Sequence, residues 1–221
     1  MAVNVTAYRT IKEELDASSV LLVAVSKTKP IEDILALYEL GHRDFGENYV
    51  QELVQKQSQL PSDIRWHFIG HLQSNKVKYI APFVHLIHGI DSEKLLNAVN
   101  KEGKKLNRTI DCLLQVHIAQ EETKFGLDAG EVTALVDRYY TNTDYSGVKL
   151  KGLMGMASFT EDTAVVAEEM SRLKKLYNSI RMNHPNDDFS ILSMGMSGDY
   201  QMAIEKGSTL VRIGSLLFGS R

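Results

Sequence analysis

Short apolar runs alternate with longer amphipathic segments along the whole chain, and this order constrains the fold more than any other feature. Residues 21–26 are almost entirely apolar, as is typical of a strand buried on both faces. A helix is predicted to begin near Pro30, with one apolar stripe over residues 31–38, and to end at Gly41. The repeated strand-then-helix order predicts parallel strands joined by right-handed crossovers.

Eight such strands are predicted along the 221 residues. They cover residues 21–26, 43–46, 66–70, 84–90, 112–118, 148–154, 189–193 and 209–213. This number favours an α/β fold, a single (β/α)₈ TIM barrel formed by residues 1–221 as one domain. An open, doubly wound sheet is the alternative, because alternation by itself does not exclude it.

Composition excludes several classes of partner. The formal net charge of −3 gives no electrostatic footprint for nucleic acid or an anionic membrane. No segment reaches the roughly 20 apolar residues that span a bilayer, and the N-terminus has no apolar leader. Cys112 is the only cysteine, which rules out an intramolecular disulfide. We therefore expect a soluble, cytoplasmic protein with no nucleic-acid or membrane partner.

Lys27 ends the first apolar run. Because side chains alternate along a strand, Val23, Val25 and Lys27 share one face, and two valines suit a barrel interior. Lys27 would then lie at the C-terminal mouth, where barrels build their active sites and a desolvated amine can attack an aldehyde. The alternative is a strand-end lysine that keeps its charge in solvent. Lys29 and Lys124 are predicted to be solvated loop charges.

Two glycine-containing turns follow the last two strands, the position of the common phosphate site of barrels. Ser197 lies in the first turn and is able to donate to a phosphate oxygen or, alternatively, to cap the next helix. Gly214 and Ser215 offer backbone amides in the second turn, whereas the face of Arg212 depends on the strand register. Since the first and last strands of a closed barrel are neighbours, the Lys27 amine and both turns would meet in one mouth. This pairing indicates pyridoxal 5′-phosphate held as a Schiff base.

The remaining candidates have weaker signals. Asn48 lies at a strand-to-helix turn, where it is either a helix cap or part of the site. His67 and His71 have a spacing that suits a metal on a helix, but the segment is predicted as strand and loop, so no metal site is predicted. His85 and His88 are predicted on opposite faces of one strand, which also argues against a shared ligand role.

Four stretches resemble the pyridoxal phosphate homeostasis protein family, and together they extend from about residue 21 to the end of the chain. They are residues 24–30 (AVSKTKP), 45–52 (FGENYVQE), 66–73 (WHFIGHLQ) followed by Asn75 and Lys76, and 193–219. The resemblance implies a barrel like the N-terminal domain of alanine racemase, with Lys27 carrying pyridoxal phosphate as an internal Schiff base. It further implies that Ser197, Gly214 and Ser215 contact the phosphate, that Arg212 faces the pyridine nitrogen and that Asn48 lies near the ring. His117 stands where the family more often has asparagine.

The chemistry implied by Arg212 limits what such a site does. An arginine keeps its proton, so the pyridine nitrogen would stay unprotonated and the ring would be a poor electron sink. Racemases with this barrel also use a tyrosine from a second domain, which we do not expect in a chain that ends at Arg221. We therefore expect a monomeric buffer or carrier of the cofactor with no dedicated turnover, and cofactor-dependent apoenzymes as candidate recipients. A weak amino-acid racemase and a Schiff-base aldolase for phosphorylated sugars are the alternatives.

Overall fold

Eight parallel strands close into a barrel in chain order, and the last strand pairs with the first. The structure is a computed structural model that describes residues 3–121, 125–185 and 188–219; Lys124 lies outside the described residues. The strands are Leu21–Val25 (β1), Asp44–Glu47 (β2), Arg65–Phe68 (β3), Leu86–Ile90 (β4), Ile110–Val116 (β5), Val148–Gly155 (β6), Ile191–Ser193 (β7) and Leu210–Ile213 (β8). All eight predicted strands are confirmed, with ends that differ by at most two residues.

Helices connect the strands around the outside of the barrel, as the predicted crossovers require. The helices of the described residues are Val5–Ala17 (α1), Ile31–Glu39 (α2), Val50–Gln57 (α3), Val77–Ile80 (α4), Glu93–Lys105 (α5), Ala129–Thr141 (α6), Thr163–Asn183 (α7), Tyr200–Glu205 (α8) and Ser215–Phe218 (α9), with a 3₁₀ turn at Ser74–Lys76. None of the helices in this part of the chain is long and apolar enough to cross a membrane.

Closure of the sheet decides between the two predicted topologies. Leu21 pairs with Leu210 and Ala24 pairs with Ile213, so β1 and β8 are joined along their length. The open-sheet alternative is therefore wrong, and the (β/α)₈ barrel is confirmed. Because Val23 is the register partner of Arg212, the two turns after β7 and β8 lie beside the loop after β1.

Apolar side chains form two separate layers. The larger cluster fills the space between the strands and the helices, and a smaller one lies inside the barrel. The inner cluster consists of Val23, Leu86, Leu113, Met154 and Leu210. Strand alternation then directs Arg212 into the same interior as Leu210 and directs Lys27 toward the C-terminal mouth, as predicted for Lys27.

The N-terminal helix α1 is held against the barrel by its apolar face and by one tie to the C-terminal segment. Tyr8, Ile11 and Leu15 are buried on that face. The Asn4 side chain caps the helix by accepting from the amide of Ala7, while the Asn4 amide donates to the carbonyl of Leu217 at 2.8 Å.

Candidate functional site

A cavity of about 610 Å³ opens at the C-terminal ends of the strands, the end of a barrel at which active sites are built. Its lining comes mainly from the loops after β1, β2, β6, β7 and β8. All six residues singled out in the sequence line it: Lys27, Asn48, Ser197, Arg212, Gly214 and Ser215. The fold therefore brings the predicted site residues into one cavity.

Both neighbours of Lys27 are fixed by side chains from α3. The Lys56 ammonium donates to the carbonyl of Ser26 at 2.8 Å, and Glu52 accepts from the amide of Thr28 at 2.6 Å. Thr28 has a φ of 62°, a left-handed conformation that is strained for a β-branched residue. The loop around Lys27 is therefore held in a specific shape, and its half-buried side chain lines the cavity.

A buried ionic cluster lies directly behind this loop. Glu47 is fully buried at the end of β2, and its Oε1 accepts from the Ser26 hydroxyl at 2.6 Å and from the Lys56 ammonium at 2.8 Å. Lys56 completes three hydrogen bonds by donating to Glu52 at 2.7 Å. Burial raises the pKa of Glu47, and the nearby Lys56 charge opposes that shift. This cluster was not predicted from the sequence, although a carboxylate inside a buried strand was a signal for it.

A hydrogen bond joins the two predicted phosphate turns. The amide of Gly214 donates to the Ser197 hydroxyl oxygen at 3.2 Å. Ser197 is not the cap of α8, as the alternative had it, because Asp199 occupies the residue before that helix. Gly214 packs closely on β1, since a Cβ there would lie 3.2 Å from both the Cβ and the carbonyl oxygen of Val25. The turns after β7 and β8 thus pack on β1 and line one side of the cavity.

Arg212 lies inside the barrel beneath the cavity and is 4% exposed. One terminal nitrogen donates to the Ser193 carbonyl at 3.0 Å and to its hydroxyl at 2.6 Å, and the other donates to the Gly155 carbonyl at 3.1 Å. Burial lowers the pKa of Arg212 to about 10, so it stays cationic at neutral pH. The alternative of a solvent-exposed arginine is wrong.

Three of the five guanidinium N–H bonds of Arg212 are used in these contacts. Each of these acceptors is a neutral oxygen, so no carboxylate accepts a hydrogen bond from this buried cation within the described residues. The remaining two N–H bonds leave this cation with donor capacity for a ligand in the cavity above it.

Asn48 carries an unsatisfied acceptor. Its Oδ1 is buried and has no hydrogen-bond partner among the described residues, although the residue lines the cavity. A buried acceptor left unpaired costs about 1–3 kcal/mol, so such atoms commonly mark a place where a ligand or water donates.

Lys29 differs from its prediction. It is half-buried, and its ammonium donates to the carbonyls of Phe218 at 2.9 Å and Gly219 at 3.1 Å. The expectation of a solvated loop charge is wrong, because the closed barrel brings the C-terminal segment against the loop after β1. Lys29 therefore ties these two parts of the cavity wall together.

The paired histidines of β3 and its following loop lie in different environments. His67 is buried inside the barrel, 3.1 Å from Asp44, whereas His71 stacks on Phe125 and contacts Asp91 at 3.0 Å. His117 contacts the carbonyl of Glu121 at 2.9 Å and is absent from the residues that line the cavity.

His85 and His88 both pack against the His67 ring, with centroids 5.3 and 5.2 Å away. The prediction that they point to opposite faces of one strand is wrong, because His85 precedes β4 and side-chain alternation along that strand does not govern it.

Donor atoms of Asp44, His67 and His85 lie within 4.8 Å of one another. Both Asp44 oxygens are already held by Arg65 and one also by His67, so we interpret the group as a hydrogen-bonded cluster.

Comparison with known proteins gives one consistent family. The family model "Alanine racemase, N-terminal domain" matches residues 6–221. The pyridoxal phosphate homeostasis protein of Pasteurella multocida is 37% identical over 209 residues, which cover 92% of this chain and 88% of that protein. PipY of Synechococcus elongatus, solved without pyridoxal phosphate, is 31% identical with a TM-score of 0.90 and coverage of 97% and 99% of the two chains. PipY with the cofactor bound has a TM-score of 0.86 at the same identity and coverage.

Proposed function

The chain belongs to the pyridoxal phosphate homeostasis protein family, and we propose that it binds pyridoxal 5′-phosphate in the cavity at the C-terminal end of its barrel. The single observation that carries this proposal is the meeting of Lys27, Arg212 and the two hydrogen-bonded turns in that cavity. A relative of the same fold, PipY, has been solved with pyridoxal phosphate bound.

The cavity has the donors and acceptors that the cofactor needs. The turn residues Ser197, Gly214 and Ser215 would hold the phosphate through backbone amides and hydroxyls. The unsatisfied Oδ1 of Asn48 would accept a hydrogen bond from the ring hydroxyl, which removes the cost of leaving that atom unpaired. Arg212 would direct an N–H bond at the pyridine nitrogen from the cavity floor.

Lys27 would attach the cofactor. Pyridoxal phosphate supplies an aldehyde that condenses with amines and a ring that withdraws electrons when its nitrogen is protonated. Condensation of the Lys27 amine with that aldehyde forms a C=N bond and releases water, giving a Schiff base on Lys27. The loop around Lys27, held by Glu52 and Lys56, would keep the amine oriented toward the cavity.

Arg212 favours holding the cofactor over using it for catalysis. A guanidinium keeps its proton at neutral pH, so the ring nitrogen beside it accepts a hydrogen bond and stays unprotonated. The ring is then a weak electron sink, which disfavours carbanion chemistry at a bound amino acid. We propose a buffer or carrier in cofactor and amino-acid homeostasis, acting as a monomer and delivering to cofactor-dependent apoenzymes. The single cysteine, Cys112, fits a reducing compartment, and we propose the cytoplasm as its setting.

A spectrophotometric titration with pyridoxal phosphate tests the attachment. The wild-type protein should develop a near-visible band that Lys27→Ala lacks. Lys29→Gln is the matched control, because Lys29 lines the same cavity but donates to the C-terminal carbonyls. The proposal fails if the band survives Lys27→Ala or never forms in the wild type.

The racemase alternative needs an acid or base on each face of the substrate. Within the described lining, the titratable side chains are Lys27, Lys29, Asp199 and Arg212. Lys29 donates to two carbonyls, and Asp199 accepts from the amide of Met196 at 2.6 Å, so neither is placed as a second base. Alanine racemisation well above that of Lys27→Ala would restore this alternative.

A further inference from the structure

Five polar side chains form a continuous line of hydrogen bonds through the inside of the barrel. Nε2 of His67 lies 3.1 Å from Oδ1 of Asp44, and Nδ1 of His67 lies 2.9 Å from Nε2 of His88. His88 lies 3.2 Å from the Ser193 hydroxyl, which accepts from Arg212 at 2.6 Å. We call this line the polar relay. All of its members are at most 4% exposed.

The polar relay connects the two ends of the barrel. Asp44 opens β2 at the N-terminal end, where Arg65 holds its carboxylate with two hydrogen bonds. The contact between His88 and Ser193 crosses the interior from β4 to β7. Arg212 then reaches the cavity at the C-terminal end. Burying five polar side chains destabilises the fold unless each one is hydrogen-bonded. A donor must therefore face an acceptor at every contact of the polar relay.

When His67 and His88 are both neutral, only one assignment of donors and acceptors satisfies every hydrogen bond of the polar relay. The Asp44 carboxylate only accepts, so His67 donates from Nε2 and accepts at Nδ1. His88 therefore donates from Nε2 to His67 and accepts at Nδ1 from the Ser193 hydroxyl. Burial lowers the pKa of His88 well below its usual range, which agrees with a neutral ring. Ser193 is then left to accept from Arg212, and every hydrogen bond runs in the same direction.

Protonation of His67 would change the hydrogen bonds that Ser193 makes near the cavity. A proton added to His67 would turn both of its nitrogens into donors and force His88 to accept at Nε2. His88 would then donate from Nδ1, and the Ser193 oxygen would face two donors in place of one. The strength and direction of the Arg212 contact therefore depend on groups that lie at the far end of the barrel.

We propose that the polar relay makes His88 and Ser193 positioning residues for Arg212, and that Asp44 sets the position of this cation from the opposite end of the barrel. The inference rests on the proposed function, because Arg212 is the group that would face the cofactor ring. Neither His88 nor Asp44 lines the cavity, so their effect on a bound cofactor would be exerted through Ser193 and Arg212.

Histidine nitrogen NMR of the cofactor-free protein tests the direction of the relay. Long-range ¹⁵N–¹H spectra should show the proton on Nε2 of both His67 and His88. A proton on Nδ1 of either ring overturns the proposal, whether or not the protein binds pyridoxal phosphate. This measurement therefore fails independently of the proposed function.

Asp44→Asn tests the coupling, with Asp111→Asn as the matched control. Asp111, like Asp44, is a carboxylate near the N-terminal end of its strand, but it is only partly buried and lies outside the relay. Asp44→Asn should shift the Arg212 Nε–H resonance of the cofactor-free protein, and Ser193→Ala should weaken pyridoxal phosphate binding about tenfold. Asp111→Asn should do neither. Equal Arg212 shifts in the two asparagine variants, or none in either, would show that the relay is structural only.

Discussion

Replacement of Lys56 by methionine should destabilise the fold in a way that depends on pH. The Lys56 side chain is 7% exposed, and its ammonium makes three hydrogen bonds, to the Ser26 carbonyl and to the carboxylates of Glu47 and Glu52. Methionine fills similar space but leaves Glu47, which is fully buried, with the Ser26 hydroxyl as its main partner. Breaking a buried ion pair from one side commonly costs about 3–5 kcal/mol, because a buried charge is left uncompensated.

Protonation of Glu47 limits this cost and gives it a characteristic pH dependence. In the variant the folded state holds a proton on Glu47 that the unfolded state releases above its ordinary pKa of 4.5. The penalty therefore grows as pH rises, at about 1.4 kcal/mol per pH unit, and reaches about 3 kcal/mol at pH 7. The lost hydrogen bond to Ser26 adds about 1 kcal/mol at every pH.

Urea unfolding of wild type and variant at several pH values between 4.5 and 7 measures the penalty. The double variant Glu47→Gln/Lys56→Met should recover most of the loss at pH 7, because no buried carboxyl is then forced to protonate. Lys12→Met is the control, since Lys12 pairs with Asp16 on an exposed helix face and should cost less than about 0.5 kcal/mol. A penalty for Lys56→Met that is small and flat with pH, or a double variant less stable than the single one, would refute the reasoning.

Three further outcomes are expected. Ser197→Ala should weaken pyridoxal phosphate binding about tenfold in an absorbance titration and cost about 1 kcal/mol of stability through the lost hydrogen bond to the Gly214 amide; unchanged affinity would contradict the phosphate role of this turn. Gly195→Ala should cost more than about 1 kcal/mol in thermal unfolding, because Gly195 has a φ of 97° and a Cβ there would lie 2.5 Å from that of Ala203. Burial lowers the pKa of His42 to about 4, so the unfolded state binds this proton first and stability is lost as pH falls from about 6.5 to 4, at about 1.4 kcal/mol per pH unit. A His42→Gln variant that keeps the wild-type slope of unfolding free energy against pH in this range would exclude His42 as its source.

Local patterns in the sequence were sufficient for the barrel and for the cavity lining. Most strands are marked by a short apolar run, with Asp44–Glu47 as an exception, and alternation within residues 21–27 placed Val23 inside and Lys27 at the mouth. The turns after the last two strands carry glycines whose positions are set by close approach to other strands, as for Gly214 against Val25. These signals are local, and chain order in a barrel then fixes which loops meet.

The buried polar groups were not predictable in the same way. The contact of His88 with Ser193 joins residues 105 positions apart across the barrel interior, and His85, which precedes β4, contacts the His67 ring of a neighbouring strand. Lys56 lies on a helix that otherwise has the pattern of a surface helix, so its burial depends on Glu47 from a different element. Such pairings follow from tertiary packing, and no spacing along the chain encodes them.

Borohydride reduction of the protein loaded with pyridoxal phosphate, followed by peptide mass mapping, would identify the lysine that carries the cofactor. Reduction converts a Schiff base into a stable secondary amine, so the modified lysine is identified by its mass. We expect a single phosphopyridoxyl adduct on Lys27, with Lys29 unmodified. An adduct on another lysine, or none after saturation with the cofactor, would contradict it.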